Sequence, residues 1–419
     1  MGSSVINTQS QVEKGLGNSG ALLPVWSKAE KIRTAISAAV IVALLGLAFY
    51  LSSTESAGTA PISLLIGVSL GLLLERGRFC FFCIFRDGIE DKNTTPFLSV
   101  LVAIATGAIG YAIIFGQFLP DTTSDRLPPA AHIGPVSWVL AVSAFTFGIG
   151  MALSGACISG HLYRLGQGYL RAIPALIGTL IGFVLAFLTW NWLYLRAIAD
   201  APTMWLPHYI GYTGSLILTL AVLLAIAIFA IRKGKASEPI RTAPLEVISL
   251  KATLRKLIFE RWSPITTGAL VGIVGMIAYL RVEPLGVTRQ LSTQARTLMS
   301  NNNFGPETIL GLDRMAGCIA VVSKTITNNG WLVIGLIGAS FAAALAGGRF
   351  KFSKLTPKNS ATALLGGVLL GWGSMTSLGC TIGVLLSGTQ AFALSGWVFF
   401  AFVFLGSFVG IKLKFHTTG

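Results

Sequence analysis

Long apolar stretches alternating with short polar ones occupy most of the chain. A hydrocarbon core needs about 20 apolar residues per helix. The candidates lie at roughly 34–51, 62–75, 97–119, 136–154, 172–195, 211–231, 264–280, 329–346, 361–378 and 394–411. Several are short. Ile62–Leu74 covers only about 13 residues, is punctuated by Gly67 and Gly71, and reads as a half-helix running into Arg76–Asp87. The pattern predicts an all-α polytopic membrane protein of about ten apolar segments, with short or re-entrant helices among them.

Lysine and arginine placement orients the segments. Lys28, Lys31 and Arg33 put the N-terminus in the cytoplasm, residues 52–60 outside, and Arg76, Arg78, Arg86 and Lys92 inside again. The 120–135 loop, with Arg126 alone, is outside, and Arg164 and Arg171 are inside. Residues 232–263 carry eight basic residues from Arg232 to Arg261 and are the strongest cytoplasmic marker, while Lys412 and Lys414 put the C-terminus on the same side. Residues 281–327 break the rule: they should be external, yet hold Arg281, Arg289, Arg296, Arg314 and Lys324. Either the segment count is off by one, or these cations form an external vestibule that attracts anions. The strong flanking assignments favour the vestibule. Ten segments split five and five, so the halves run in opposite directions as an inverted-topology repeat. The expected organisation is a flexible cytoplasmic tail (1–30), a first membrane repeat (31–231), a basic amphipathic cytoplasmic linker (232–263) and a second repeat (264–412). Leu245–Trp262 within the linker reads as a surface helix rather than a partner-docking site.

Composition agrees. Of 419 residues, 53% are apolar and 11% charged, against about 25% charged in soluble domains, and mean hydropathy is +0.74. A net charge of +15 invites a nucleic-acid reading, but the basic residues lie between apolar segments, as topology control and anion attraction require. The five cysteines lie in or beside apolar segments, so no disulfide framework is expected. Residues 1–27 show no cleavable signal pattern.

One motif occurs twice. Gly148–Gly160 contains Cys157, and Gly371–Gly383 contains Cys380. The offset between these cysteines also superimposes Gly148 on Gly371, Gly150 on Gly373, Ser154 on Ser377 and Gly160 on Gly383, without a gap. Gly148, Gly150, Gly155 and Gly160 let a helix stop inside the membrane and turn backbone N–H groups toward a ligand. Ser159 and Thr381 add hydroxyls beside the cysteines. A thiol donates one weak hydrogen bond and its sulfur is polarisable, which suits a sulfur-containing anion. The bland alternative, small residues packing helices, is weakened by the duplication. A second constellation, Glu75-Arg76-Gly77-Arg78-Phe79-Cys80-Phe81-Phe82-Cys83, sets cysteines and arginines beside a short helix. Its arginines either snorkel to the interface or line an anion path. Cys80 and Cys83 form a C-x-x-C, but no strand–helix unit supports redox chemistry. Cys318 reads as packing. His161 follows Cys157 by four residues without the further ligands a metal needs. Glu283-Pro284 ends the seventh segment where Glu75-Arg76 ends the second, and no cysteine follows, so the symmetry is incomplete. No Walker loop or intramembrane carboxylate pair is present.

The Arg76–Phe81 stretch and the Cys157 and Cys380 motifs resemble the sulphur-transport family of thiosulfate permeases, the YeeE/YedE type, from about residue 62 to 411. The resemblance implies a bacterial or archaeal inner-membrane transporter, not an enzyme, with no cofactor and no metal, built as a pseudo-symmetric repeat. It also implies thiosulfate import by successive S–H···S hydrogen bonds, and a small cytoplasmic sulfur-carrier protein as partner. The three thiols carried over are Cys80, Cys157 and Cys380. With Arg78, Gly155, Ser159, Gly160, Gly379, Thr381 and Gly383 they make the expected path, and Arg289, Arg296 and Arg314 the external attraction. Cys83 and the long linker depart from the family pattern. The alternatives are a transporter of selenium compounds or other sulfur species, and a membrane sulfurtransferase whose arginines favour a cysteine thiolate.

Overall fold

The structure, a computed structural model, describes residues 27–417 apart from 55–57, 125, 235–257, 307, 313–314, 316–319, 321 and 324. Thirteen α-helices are described: α1 (Lys28–Ser52), α2 (Ala60–Gly77), α3 (Phe81–Glu90), α4 (Thr95–Phe118), α5 (Trp138–Ser154), α6 (Ile158–Gly166), α7 (Ala172–Leu193), α8 (Leu206–Lys233), α9 (Pro264–Arg281), α10 (Arg289–Asn301), α11 (Asn328–Ala346), α12 (Pro357–Thr376) and α13 (Leu394–Lys412). A π-helical segment, Thr381–Gly388, follows α12. Among the described residues the β-type pairing is one isolated antiparallel bridge, Trp205 with Ala393. Eight spans among the described residues, counting α5 with α6 as one, are long and apolar enough to cross a membrane, and the bent pair of α12 and the π segment makes a ninth. The tenth apolar stretch is α2, 18 residues long.

Local chemistry sets the boundaries. Ser27 caps α1 in a capping box with Glu30, and Thr356 caps α12 in one with Asn359, satisfying N–H groups that no helical carbonyl can reach. Pro61, Pro96, Pro207, Pro264 and Pro357 sit in first turns, where the missing N–H costs nothing. Outward faces stay apolar: Phe49, Ile217, Leu224 and Phe229 are more than half exposed, a surface that only lipid covers favourably.

Without a hydrophobic drive between helices in lipid, association rests on close packing of small residues. Gly67 and Gly71 of α2 lie against the Leu332 and Leu336 backbone of α11, and Gly268 and Gly272 of α9 lie against the Ser99 and Ala103 backbone of α4. In the same way α7 packs on α12 and α5 on α13, while α1 lies on α11 and α8 on α4. At the centre α5 crosses α12. There Gly150 meets Gly366, and Gly373 meets Ser143. The offset that carries Cys157 onto Cys380 also carries Gly150 onto Gly373 and Ser143 onto Gly366, so each contact is the counterpart of the other.

On one side of this assembly lies a buried ion cluster. Glu75, with no exposed side-chain surface, takes both arms of Arg349 at 2.8 and 2.9 Å, and Arg76 approaches it to 3.7 Å. Arg349 also donates to the Phe259 carbonyl at 3.0 Å, which ties α2, the stretch after α11 and the end of the linker together. The surface helix expected over Leu245–Trp262 falls mostly outside the described residues, as does the tail up to residue 26.

Candidate functional site

Among the described residues, four helix junctions bear on the candidate site: α2/α3, α5/α6, α9/α10 and the α12/π junction. The two duplicated motifs make the second and fourth. α5 ends at Ser154, followed by Gly155 at φ 88°, a left-handed conformation that glycine adopts freely. Its counterpart is Leu378, at φ 62°. A serine braces each gap. Ser154 Oγ lies 2.8 Å from the Gly150 carbonyl and 3.0 Å from that of Ala156. Ser377 Oγ lies 2.6 Å from the Gly373 carbonyl and 3.0 Å from that of Gly379.

Beyond each brace comes the cysteine. Helix α5 stops three residues before Cys157, which caps the start of the next one. Cys157 is extended (φ −76°, ψ 172°), and its sulfur accepts from the Gly160 N–H at 3.4 Å and lies 3.2 Å from Ser159 Oγ. Cys380 is extended too (φ −112°, ψ −170°) and opens the π segment. Each sulfur meets the start of another short helix. The Cys157 sulfur faces the Phe81 N–H and the Cys80 thiol, where Cys80 caps α3. The Cys380 sulfur faces the N–H groups of Val287, Ile382 and Gly383 and the Thr288 hydroxyl, where Thr288 caps α10.

Cys80, Cys157 and Cys380 have no exposed surface, and with Cys83 they belong to one contiguous core. None of these four thiols is exposed at the surface. Cys80 lies beside Cys157 and beside Cys83. Gly160 presents its open side to the Cys80 and Cys157 sulfurs. Arg164 reaches the Gly155 carbonyl at 3.0 Å and the Cys83 sulfur at 2.7 Å. Ser159, Gly160, Gly379, Thr381 and Gly383 are all buried in these two clusters.

Not every expected residue joins them. Arg78 is exposed at φ 52°, closing α2 through its backbone N–H; its side chain lines neither cluster. Arg289 is ion-paired with Glu283, and Arg296 donates to the Ala320 carbonyl. Arg314, Lys324 and Cys318 lie outside the described residues. Two participants went unread. Arg164 was read for topology alone. Thr288 holds the place in the second half that Cys80 holds in the first: aligning Glu283 with Glu75 and counting on five residues reaches both caps. A search for a second cysteine passes over it. Beside the Cys380 cluster, His132, Ser137, Thr376, Ser377 and Ser395 line a small cavity.

Known proteins match this chain along most of its length. The family model described as sulphur transport covers residues 76–409. The thiosulfate transporter TsuA of Escherichia coli is 27% identical over 359 residues, 82% of this chain and 91% of that protein. The thiosulfate transporter TsuA of Spirochaeta thermophila is 28% identical over 373 residues, 84% of this chain and 98% of that one. The probable transporter YedE of Escherichia coli is 25% identical over 205 residues, about half of each chain.

Proposed function

Because the chain belongs to the sulphur-transport family, we propose that it is a membrane transporter importing thiosulfate through a path lined by Cys380, Cys157 and Cys80. The observation that carries this reading is the pair of serine-braced breaks, each delivering a buried thiol to the start of a second short helix. Thiosulfate offers a polarisable terminal sulfur and three charged oxygens. Thiols suit the first, and helix-start N–H groups suit the second. Weak stations in series let an ion leave as readily as it enters, as conduction requires. The matching contacts of α5 with α12 support an inverted repeat of residues 31–231 and 264–412 on a twofold axis in the membrane plane. The distribution of lysine and arginine supports cytoplasmic termini in an inner membrane. The Arg164, Arg171 and Arg349 side then faces the cytoplasm, where a small sulfur-carrier protein would receive the product.

The test is uptake of labelled thiosulfate into proteoliposomes by Cys157→Ala and Cys380→Ala. Both are expected to fall to the level of empty vesicles while melting near the wild-type temperature. Wild-type rates in either variant would refute the cysteine path. An excess of selenite, but not of sulfate or sulfite, that abolishes uptake of labelled thiosulfate would move the assignment to a selenium anion.

A further inference from the structure

The two thiol clusters are alike in backbone and unlike in chemistry. At the first, the residue capping the short helix is a cysteine, Cys80; at the second it is Thr288. Thr288 is 2% exposed and Thr381, next to Cys380, is 0% exposed. Neither hydroxyl makes a hydrogen bond of good geometry, and Arg289 keeps its Nε buried without a partner although the guanidinium is paired with Glu283. Buried hydroxyls are nearly always satisfied, because desolvating one without compensation is costly. Thr288 is not satisfied even by its own helix: it makes no side-chain cap bond to α10. Its hydroxyl instead lies at the Cys380 sulfur.

We propose that Thr288, with Thr381, is a substrate-binding residue that donates to the oxygens of a tetrahedral sulfur oxyanion held at Cys380. This rests on the permease reading and deepens it. The Cys380 station offers one thiol beside two unsatisfied hydroxyls, hard donors matched to sulfonate oxygens, whereas the Cys157 station offers three thiols, with the Ser159 hydroxyl already at the Cys157 sulfur and Arg164 already bonded to the Gly155 carbonyl and the Cys83 sulfur. The ion is therefore held by its oxygens at the Cys380 station and by its terminal sulfur at the Cys157 station. Sulfate, which has only oxygens, fits the first station and not the second. It should block thiosulfate entry without crossing.

Three proteins in proteoliposomes test this: wild type, Thr288→Val and Thr288→Ser. Thr288→Val keeps shape and removes the hydroxyl, and is expected to raise the half-saturation concentration for thiosulfate about tenfold and weaken inhibition by sulfate to a similar degree. Its melting temperature should not fall, since no cap bond is lost, and a residue of merely structural role would show the reverse. Thr288→Ser should stay within about twofold of wild type. A Thr288→Val protein with wild-type half-saturation and wild-type sulfate inhibition would overturn the proposal and leave the permease reading intact. A wild-type protein that takes up no thiosulfate would overturn that reading itself.

Discussion

Gly160→Ala is the sharpest probe of the Cys80–Cys157 cluster. A methyl at this position would sit 2.8 Å from the Cys80 sulfur, 3.0 Å from the Ala156 methyl and 3.3 Å from the Cys157 sulfur. Uncrowded contacts between such atoms run at about 3.5–4.0 Å, so the Cys80 sulfur must retreat by roughly 0.7–1.2 Å. Overpacking of this kind costs about 1–3 kcal/mol. Against it, alanine gains about 1 kcal/mol over glycine inside a helix. The net loss of stability is about 0–2 kcal/mol, small enough for the protein to fold with its thiols pushed apart. Transport should suffer more, because neighbouring stations must stay within hydrogen-bond range; a fall of about tenfold or more is expected, which corresponds to about 1.4 kcal/mol. Gly46→Ala is the control. It meets nothing within 4 Å, gains the same helical preference and should leave uptake unchanged. Uptake into proteoliposomes, set beside melting in detergent, reads both effects. Wild-type uptake by Gly160→Ala would refute the juxtaposition of the two sulfurs, and an equal loss in Gly46→Ala would show that the assay reports helix stiffness instead.

Two further outcomes concern stability. Glu75→Gln leaves the partly exposed Arg349 guanidinium without its carboxylate and should destabilise by up to about 3 kcal/mol, seen as a fall in melting temperature that Glu75→Asp partly avoids. Leu378→Gly should relieve backbone strain of about 1 kcal/mol at φ 62° but forfeit about 2 kcal/mol of apolar burial. A modest net loss with uptake preserved is expected, whereas a gain in melting temperature would mean that the leucine contributes nothing to packing.

How much of this was legible in the chain depends on whether the signal is local. Apolar runs are local, and the expected segments reappear as helices with boundaries shifted by a few residues. The break after Ser154 was readable too, because Gly155 is the residue a left-handed turn favours. At Leu378 the same turn is made by a residue that disfavours it, and only the alignment with Gly155 betrays it. Partnerships are not local. Nothing near Glu75 in the sequence announces Arg349, and Arg164 looked like a topology marker because its bond to the Cys83 sulfur exists only once α6 lies beside α3. Arg78 misled in the opposite sense: it adjoins the motif in sequence, yet its backbone closes α2 and its side chain turns outward. Thr288 escaped because the repeat preserves a backbone position and not a side chain.

Where Gly150 meets Gly366 and Gly373 meets Ser143, backbone touches backbone with no intervening layer of side chains that could slide or compress. A see-saw motion of one half against the other would have to pivot on this seam, and the seam has no slack. The long helices on either side therefore behave as one rigid girder. Any gating motion is then expected among the short pieces beyond the breaks, of which α6 is itself held to α11, where Gly166 lies against the Ile337 and Phe341 backbone.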